Sequence, residues 1–557
     1  MGRKFLTVLA VLAAAMLVMV VPACGGDDDD DDGGGGEAEA SGTLVFAGAA
    51  DPVVLDGALV SDGESLRPID QMFEGLVTLS LGGTDIEPAL ATSWEASEDG
   101  TAWTFELRED VTFHDGEPFN AEAVCFNFDR WYNFTGPFQS ESATYYWQTV
   151  FGGFADGETP SLYESCEATD ESTVTINLTK SSASFLGALA LTNFTIASPK
   201  ALQEFGADEG TVDEETGFQP TGTYGTQHPT GTGPFKFKSW TRGDRLVLER
   251  NDDYWGDKAK IQELIFRPIS DNAARLQALQ AGEIHGYDLV EPQDMETISN
   301  DETLQLLDRP AFNVAYVGIN QAKEPMDDLR VRQAVAHGLN RQQVADSFYA
   351  GRGEVAKEFM PPELFGYADD VTEYEFDPER SKELLAEAGC GPPCPIEFWY
   401  PTDVSRPYMP DPKRNFEAFA ASLNESGFQV TARSAPWSPD YLGRAQEGNA
   451  GHLHLLGWTG DYADPDNFIG VFFQTETGQF GFKNEELFTA LDEAEAETDQ
   501  DARVAAYEEA NRMIMDFLPA VPYIHTKPAL AFNACIKGYT PSPVSLEPFS
   551  IVSMEGC

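Results

Sequence analysis

The sequence predicts a multi-lobed protein of mixed α/β class, and two observations lead to this prediction. The first is length, because 557 residues exceed the roughly 250–300 at which one hydrophobic core stops growing. The second is that strand and helix patterns alternate along the chain without a short repeat and without one obvious wound sheet. The 42% of hydrophobic residues is enough to fill large cores.

The predicted strands are short segments with the period-two alternation of half-buried β-structure. They lie at 103–108, 174–178, 235–238 and 246–249, with an opening strand at 42–47 and later ones at 396–400 and 452–456. The predicted helices combine a polar cap with an apolar face. They lie at 270–281, 328–339, 377–388, 413–426 and 502–517. Ser270 is the predicted N-cap of the helix at 270–281. The helix at 377–388 has Asp377 as its predicted N-cap, Pro378 in its first turn and Gly389 as its stop.

The first 24 residues predict export from the cytoplasm. A basic start at Arg3 and Lys4 is followed by an apolar run at 5–21 and by Val-Pro-Ala-Cys at 21–24. This order is typical of a signal peptide, and the last four residues resemble a bacterial lipobox. We therefore predict a signal peptide at 1–23. The alternative is an uncleaved transmembrane anchor, because the run approaches the ~20 residues that span a bilayer.

The segment after the apolar run predicts a membrane-anchored receptor. In a lipobox the cysteine is diacylated and becomes the new N-terminus, so Cys24 is the predicted lipidation site. Residues 24–41 contain six consecutive Asp and four consecutive Gly, a composition typical of a flexible tether. The predicted location is the outer face of the bacterial cytoplasmic membrane, with attachment through this lipid.

Charge and cysteine content agree with export. A net charge of −58 repels phosphate backbones, so no nucleic-acid partner is expected. The cysteines that follow Cys24 are even in number, which suggests disulfides in an exported chain. Proximity in sequence favours the pairs Cys125–Cys166, Cys390–Cys394 and Cys535–Cys557. Zinc is the alternative at Cys390 and Cys394, but no second Cys or His pair lies nearby.

Several motifs follow one another in a characteristic order. They are Glu74-Gly75-Leu76-Val77, 87–94, 113–119, 232–235, 251–255, 328–335 and 518–522. This ordered set resembles the peptide/nickel-type (family 5) solute-binding proteins of ABC importers, over roughly residues 43–525. The resemblance implies a periplasmic-binding-protein type II-like fold, a two-lobed clam-shell with an extra third subdomain.

The resemblance also implies how the chain is divided. The N-terminal lobe would comprise 42–65, 172–308 and 515–557, the extra subdomain 66–171, and the C-terminal lobe 309–514. Chain crossings near 308–312 and 516–522 would then form the hinge, because a few element-terminal residues are enough to absorb such a rotation.

Two short segments resemble the dipeptide-binding branch of the family, in which an Arg pairs with the ligand's C-terminal carboxylate and an Asp with its α-ammonium. The predicted ligand-binding residues are Arg406, Tyr408, Trp458, Thr459, Gly460 and Asp461. A zwitterionic peptide loses water from both ends in a closed cleft, so each charge needs a partner. The alternatives are a surface arginine at Arg406 and a cap or turn at Asp461. Asp464 and Asp466 lack the spacing of a calcium loop and indicate turn chemistry instead.

The predicted function is an extracytoplasmic substrate-binding lipoprotein that delivers short peptides to an ABC importer. Its partners would be a peptide, the permease and ATPase subunits and the membrane. We expect a monomer without cofactor or metal. We expect no catalytic residues and no enzymatic activity, because nucleophile-elbow, zinc-helix and phosphate-loop motifs are absent from the sequence. The alternatives are another solute on the same scaffold (a longer oligopeptide, a nickel chelate, haem or an oligosaccharide), a secreted hydrolase, or a surface adhesion protein.

Overall fold

The computed structural model describes residues 42–213, 217–544 and 546–557. The predicted signal peptide, Cys24 and the tether therefore lie outside the described residues. Within these ranges, no helix combines the length and the apolar composition needed to span a bilayer.

Strands and helices alternate through the described ranges. The strands are β1 (Thr43–Gly48), β2 (Val77–Leu79), β3 (Ile86–Pro88), β4 (Ala91–Ala96), β5 (Ala102–Leu107), β6 (Tyr163–Ala168), β7 (Thr173–Leu178), β8 (Gly210–Asp213), β9 (Gly217–Pro220), β10 (Phe235–Thr241), β11 (Arg245–Arg250), β12 (Glu263–Pro268), β13 (Gly286–Tyr287), β14 (Leu304–Asp308), β15 (Asn313–Ile319), β16 (Gly353–Glu354), β17 (Cys394–Thr402), β18 (Phe428–Pro436), β19 (Leu453–Thr459), β20 (Ala520–Thr526), β21 (Ala529–Asn533), β22 (Ile536–Lys537) and β23 (Ser553–Met554). The helices are α1 (Gly63–Met72), α2 (Ala121–Tyr132), α3 (Glu141–Phe151), α4 (Phe185–Ala188), α5 (Pro199–Glu204), α6 (Tyr224–Gln227), α7 (Asn272–Gln280), α8 (Met295–Ser299), α9 (Leu329–Gly338), α10 (Arg341–Phe348), α11 (Pro378–Ala388), α12 (Pro412–Glu425), α13 (Leu442–Gln446), α14 (Gly470–Phe473), α15 (Glu485–Ala496) and α16 (Gln500–Phe517).

Three sheets organise the fold. A seven-stranded sheet has the order β10-β11-β12-β1-β13-β21-β14, and a six-stranded sheet has the order β16-β20-β15-β19-β17-β18. A smaller antiparallel sheet has the order β4-β5-β7-β6. One large apolar cluster packs on the seven-stranded and four-stranded sheets, and a second large cluster packs on the six-stranded sheet. The mixed α/β class predicted from the sequence is confirmed.

The chain passes twice between the two large sheets. The first passage, at 309–312, joins β14 to β15 and coincides with the predicted crossing. The second passage lies at 527–528, between β20 and β21, and therefore follows the predicted crossing at 516–522. The reason is that β20 pairs with β15 in the six-stranded sheet. The segment 515–557, predicted to lie in one lobe, is thus divided between the two sheets.

The position of β7 is a second difference from the predicted division. This strand pairs with β5 and β6, so residues 173–178 lie in the four-stranded sheet with the strands of the predicted 66–171 subdomain. Sequence patterns predict that a segment is a strand, but they do not specify its partner.

Helix termini follow the predicted capping chemistry with one exception. Asp377 accepts a hydrogen bond from the Arg380 amide at 2.9 Å, and Gly389 ends α11 with φ at 80°. At α7 the cap is Asp271, whose carboxylate accepts from the Ala274 amide at 2.7 Å, so the prediction of Ser270 was wrong by one residue. Both residue types are good caps, and sequence alone does not separate adjacent candidates.

The cysteines form three disulfides. The pairs are Cys125–Cys166, Cys390–Cys394 and Cys535–Cys557, which confirms the pairing that proximity favours. Each bridge is local, so none joins the six-stranded sheet to the seven-stranded one. No group of three or more metal-ligating side chains was found in the part of the chain that the structure describes.

The strand directions define where a ligand can be held. Strands β17, β18 and β19 are parallel, so their carboxyl ends share one edge of the six-stranded sheet. Strand β15 is antiparallel to β19 and therefore begins at this edge, and β20 ends there because it is antiparallel to β15. In the seven-stranded sheet, β21 begins beside the carboxyl end of β13. The carboxyl edges of both sheets therefore adjoin the two crossings, the position at which open α/β sheets bind ligands.

Candidate ligand-binding site

The first predicted segment lies at the carboxyl end of β19. Thr459 is the last residue of this strand and lies opposite Asn313. The Gly460 amide then donates to the Phe312 carbonyl at 2.8 Å. A Cβ atom on Gly460 would lie 2.4 Å from the Phe312 ring and 2.5 Å from the Phe468 ring. Only glycine fits this position, so the backbone that leads to Asp461 is tightly held.

Asp461 is fixed by hydrogen bonds from two neighbours. Asn467 accepts from the Asp461 amide at 2.8 Å and from Trp458 Nε1 at 3.3 Å, and its Nδ2 donates to Asp461 Oδ2 at 3.5 Å. The Tyr146 hydroxyl donates to Asp461 Oδ1 at 3.1 Å. Trp458 also packs edge-on against Phe472. These contacts orient both the carboxylate and the predicted aromatic wall.

The charge of Asp461 has no counter-charge among the residues that the structure describes. Burial raises the pKa of this carboxyl to about 6, although the hydrogen bonds from Tyr146 and Asn467 oppose the shift. Among the described residues, no Lys, Arg or His forms an ion pair with it. The alternative role as a helix cap belongs instead to Asp464, which caps the short helix Pro465–Asn467 and pairs with Arg503 at 2.8 Å. Asp461 is therefore a partly buried carboxylate that favours a cation.

The second predicted segment lies between β17 and α12. Arg406 and Met409 exchange backbone hydrogen bonds of 3.1 and 2.9 Å, which close a tight turn. The Arg406 guanidinium lies over the Trp437 ring, 4.2 Å from its centroid, an arrangement that cation–π attraction favours. Its Nε is buried without a hydrogen-bond partner, and no carboxylate in the described ranges pairs with it. The alternative of an exposed surface arginine does not match this partly buried position.

Tyr408 brings the two segments together. Its ring packs on the backbone of Gly457, where a Cβ atom would lie only 2.4 Å from Tyr408 Cδ2. The Tyr408 carbonyl accepts from the Tyr349 hydroxyl at 3.1 Å, which fixes the loop on the sheet. Burial raises the pKa of Tyr408, although the positive charge of Arg406 opposes this shift. The arginine loop thus lies against β19, the strand that leads to Asp461.

A crevice beside Arg406 is lined from both large sheets. Its lining includes Arg406 and Pro407 from the loop after β17, Val290 and Met295 from the segment after β13, and Lys527 of the second crossing. The lining is cationic and apolar although the chain as a whole carries a charge of −58. Such a lining is suited to a ligand that combines a carboxylate with an apolar body.

Sequence reasoning did not identify three residues of this site. Tyr146 lies 315 residues before Asp461, and no local pattern connects them. Trp437 follows β18, and only the parallel pairing of β17 with β18 brings it beside Arg406. Asn467 follows the predicted turn at Asp464 and Asp466, and its position six residues after Asp461 is the only signal that the sequence offers.

Comparison with known proteins identifies the family. The profile described as "Bacterial extracellular solute-binding proteins, family 5 Middle" matches residues 85–480, more than half of the chain. The chain belongs to this family. The dipeptide-binding protein of Escherichia coli K12 is 32% identical over 525 residues, which cover 92% of this chain and 95% of that protein. Heme-binding protein A of Haemophilus influenzae is 31% identical over 93% of this chain and 94% of its own length.

A solved family structure confirms the predicted fold. The ABC transporter-associated periplasmic binding protein DppA from Helicobacter pylori, in complex with the peptide STSA, superposes with a TM-score of 0.79 at 28% identity. The match covers 93% of this chain and 99% of that one. The family 5 chain described here therefore has the type II periplasmic-binding fold that the ordered motifs predicted.

Proposed function

We propose that this family 5 protein binds short peptides between its two large sheets and delivers them to the permease and ATPase subunits of an ABC importer. One observation carries the proposal: Asp461 and Arg406 are partly buried side chains of opposite charge, without ion-pair partners in the described ranges, and the Arg406 loop contacts β19, the strand that leads to Asp461, through Tyr408 and Gly457. A zwitterionic peptide supplies the missing partner for each. The names of the E. coli and H. pylori relatives support this ligand class.

The chemistry of the two ends favours tolerance of peptide sequence. The planar guanidinium of Arg406 bonds both oxygens of a carboxylate, and Asp461 accepts from an ammonium. Side chains between these anchors would contact the aromatic wall of Trp458 and the apolar part of the crevice, whose charged lining residues Arg352, Arg406 and Lys527 are all cationic. Peptide length is then limited by the span between the anchors rather than by sequence.

In this proposal, the two large sheets form the cores of the two lobes. The seven-stranded sheet would be the core of the N-terminal lobe and the six-stranded sheet the core of the C-terminal lobe, with the four-stranded sheet in the third subdomain. The passages at 309–312 and 527–528 are then the hinge. Arg352 and Asp308, 2.8 Å apart, pair across the two sides at the first passage and define one edge of the closed cleft.

The proposed location is the outer face of the cytoplasmic membrane, with the monomer attached through a lipid on Cys24 and the tether at 24–41. The motif at 21–24 and the family's extracellular members support this. In a bacterial host, a labelled fatty acid should be incorporated into the wild-type protein and not into Cys24→Ser. A wild-type protein that is membrane-bound but carries no label would instead support the transmembrane anchor.

Binding without catalysis is tested with purified protein and a peptide mixture. Ligand that binds only the native state raises the unfolding temperature, and mass spectrometry should show the peptides intact.

Arg406→Ala should weaken dipeptide binding by at least tenfold, because the ligand carboxylate loses a charged partner. Arg433→Ala is the matched control, since Arg433 is exposed on β18 and pairs with Glu397 at 3.0 Å. Unchanged affinity in the Arg406 variant would remove this residue from the site.

Haem is the second candidate ligand, because a relative of nearly equal identity is named for it. Haem carries carboxylates but no ammonium, so it would engage Arg406 and leave Asp461 without a partner. A hemin titration followed by absorbance, repeated with Asp461→Asn, separates the two ligands. Haem binding would be unaffected or strengthened by this substitution, whereas peptide binding would be weakened.

A further inference from the structure

The strongest unassigned feature is a hydrogen bond between two distant parts of the chain. Tyr146 lies on α3, within the predicted 66–171 subdomain, to which the family resemblance gives no separate role. Its hydroxyl donates to Asp461 Oδ1 at 3.1 Å, across 315 residues. We propose that Tyr146 is a positioning residue for the amine end of the ligand, so that the subdomain takes part in binding through α3. The inference rests on the proposed peptide-binding function.

The position of Tyr146 is set by the packing of α3. The next residue, Trp147, is only 2% exposed, and its ring stacks on Phe151 with centroids 4.4 Å apart. Trp147 also packs against Trp131 of α2 and donates from Nε1 to the Gly153 carbonyl at 3.1 Å. Because the buried face of α3 is anchored in this aromatic cluster, the Tyr146 hydroxyl is a fixed donor and Asp461 must align with it.

The hydrogen bonds leave the charge of Asp461 available. Each carboxylate oxygen accepts about two hydrogen bonds, whereas Oδ1 receives one from Tyr146 and Oδ2 one from Asn467. Both donors are neutral, so they orient the carboxylate and favour its ionised form without neutralising it. Burial and the nearby negative charge of Asp461 hold the pKa of Tyr146 well above its usual value, so this hydroxyl stays a donor.

The other titratable groups near Asp461 do not replace Tyr146. Tyr462 follows Asp461 in the same loop and donates to Asp466 Oδ2 at 3.5 Å. Asp464 is paired with Arg503, and burial with nearby carboxylates keeps the pKa of Asp466 well above its usual value. On α3, the ring of Tyr145 packs edge-on against Tyr146. Among these groups in the described ranges, Tyr146 is the one that donates a hydrogen bond to Asp461.

The test combines Tyr146→Phe with removal of the ligand's amine. Calorimetry would compare a dipeptide with its des-amino analogue on wild-type protein and on the variant. The variant should bind the dipeptide about five- to tenfold more weakly, as expected for the loss of one hydrogen bond of ordinary strength, and bind the des-amino analogue as wild type does. As the pH is lowered, the dipeptide affinity of the variant should begin to fall at a higher pH than that of wild type. The reason is that Asp461 loses a hydrogen bond that favours its ionised form, so its pKa rises.

The control is Tyr132→Phe, which removes the same atom from the same subdomain. Tyr132 packs against Tyr163 and forms no hydrogen bond to Asp461, so affinity and pH profile should not change. An equal loss for both ligands in the Tyr146 variant would show a merely structural role and overturn the inference. Wild-type affinity, or tighter binding, would also overturn it. Absence of dipeptide binding by the wild-type protein would instead refute the proposed function.

Discussion

Replacement of Asp461 by Asn should stabilise the ligand-free protein and weaken peptide binding. The carboxylate is partly buried, receives hydrogen bonds from Tyr146 and Asn467, and has no ion-pair partner in the described part of the chain. Its ionised form is therefore unfavourable until a cation arrives. Asn keeps the size and shape of the side chain but removes the charge, so stability and affinity should change in opposite directions.

The magnitude follows from the pKa. Burial raises the pKa of Asp461 from 3.8 to about 6, and one pKa unit corresponds to about 1.4 kcal/mol. Because the folded-state pKa lies above the unfolded one, the stability linked to this proton is complete below pH 3.8 and is lost as the pH rises through about 6. Above pH 7 the ionised carboxylate costs up to about 3 kcal/mol, an upper limit because the side chain keeps some exposure. The lost charged contact should weaken binding by about 1.5–3 kcal/mol.

Urea unfolding at pH 4.5 and pH 7.5, with calorimetry at pH 7.5, measures both effects. The variant should exceed wild-type stability at pH 7.5 and approach it at pH 4.5, while its dipeptide affinity falls at least tenfold. Asp501→Asn, an exposed substitution on α16, should change neither quantity appreciably. A variant that is destabilised equally at both pH values, or that binds the dipeptide normally, would refute the reasoning.

Three further predictions concern positions that hold the site and its scaffold. Gly460→Ala should disrupt peptide binding and lower the unfolding temperature, because its Cβ would meet two aromatic rings, whereas Gly443→Ala, with open space around the added atom, should be tolerated. Burial raises the pKa of Glu358 from 4.5 to about 9, so the contribution of this carboxyl to stability should fall as the pH rises between these values. Glu358→Gln should remove this contribution to the pH dependence, which urea unfolding from pH 5 to 9 would measure. Replacement of both Cys125 and Cys166 by Ala should cost about 4 kcal/mol of unfolding free energy, from the 41-residue separation that the bridge closes.

The sequence was informative where structure is local. Caps such as Asp377, glycine stops such as Gly389 and the alternating strands depend on neighbouring residues, and they appear at the predicted positions. The loops that carry Arg406 and Asp461 were also predicted, because each follows a predicted strand of the six-stranded sheet.

Features that depend on long-range pairing could not be predicted. Every residue of β20 is buried, so its pattern fits either large sheet, and only its pairing with β15 moves the second crossing to 527–528. Tyr146 is one of 18 tyrosines in the chain, and nothing in its own neighbourhood distinguishes it from a core aromatic. Its role becomes visible only when α3 is placed beside the Asp461 loop.

The central claim is that two opposite charges, each without an ion-pair partner among the described residues, hold the two ends of a small zwitterion. The most direct test is calorimetric titration of one dipeptide in three forms: free, N-acetylated and C-amidated. We expect the free form to bind most tightly and each blocked form at least tenfold more weakly, with the acetylated form insensitive to Asp461→Asn and the amidated form insensitive to Arg406→Ala. Equal affinity for all three forms would contradict the account.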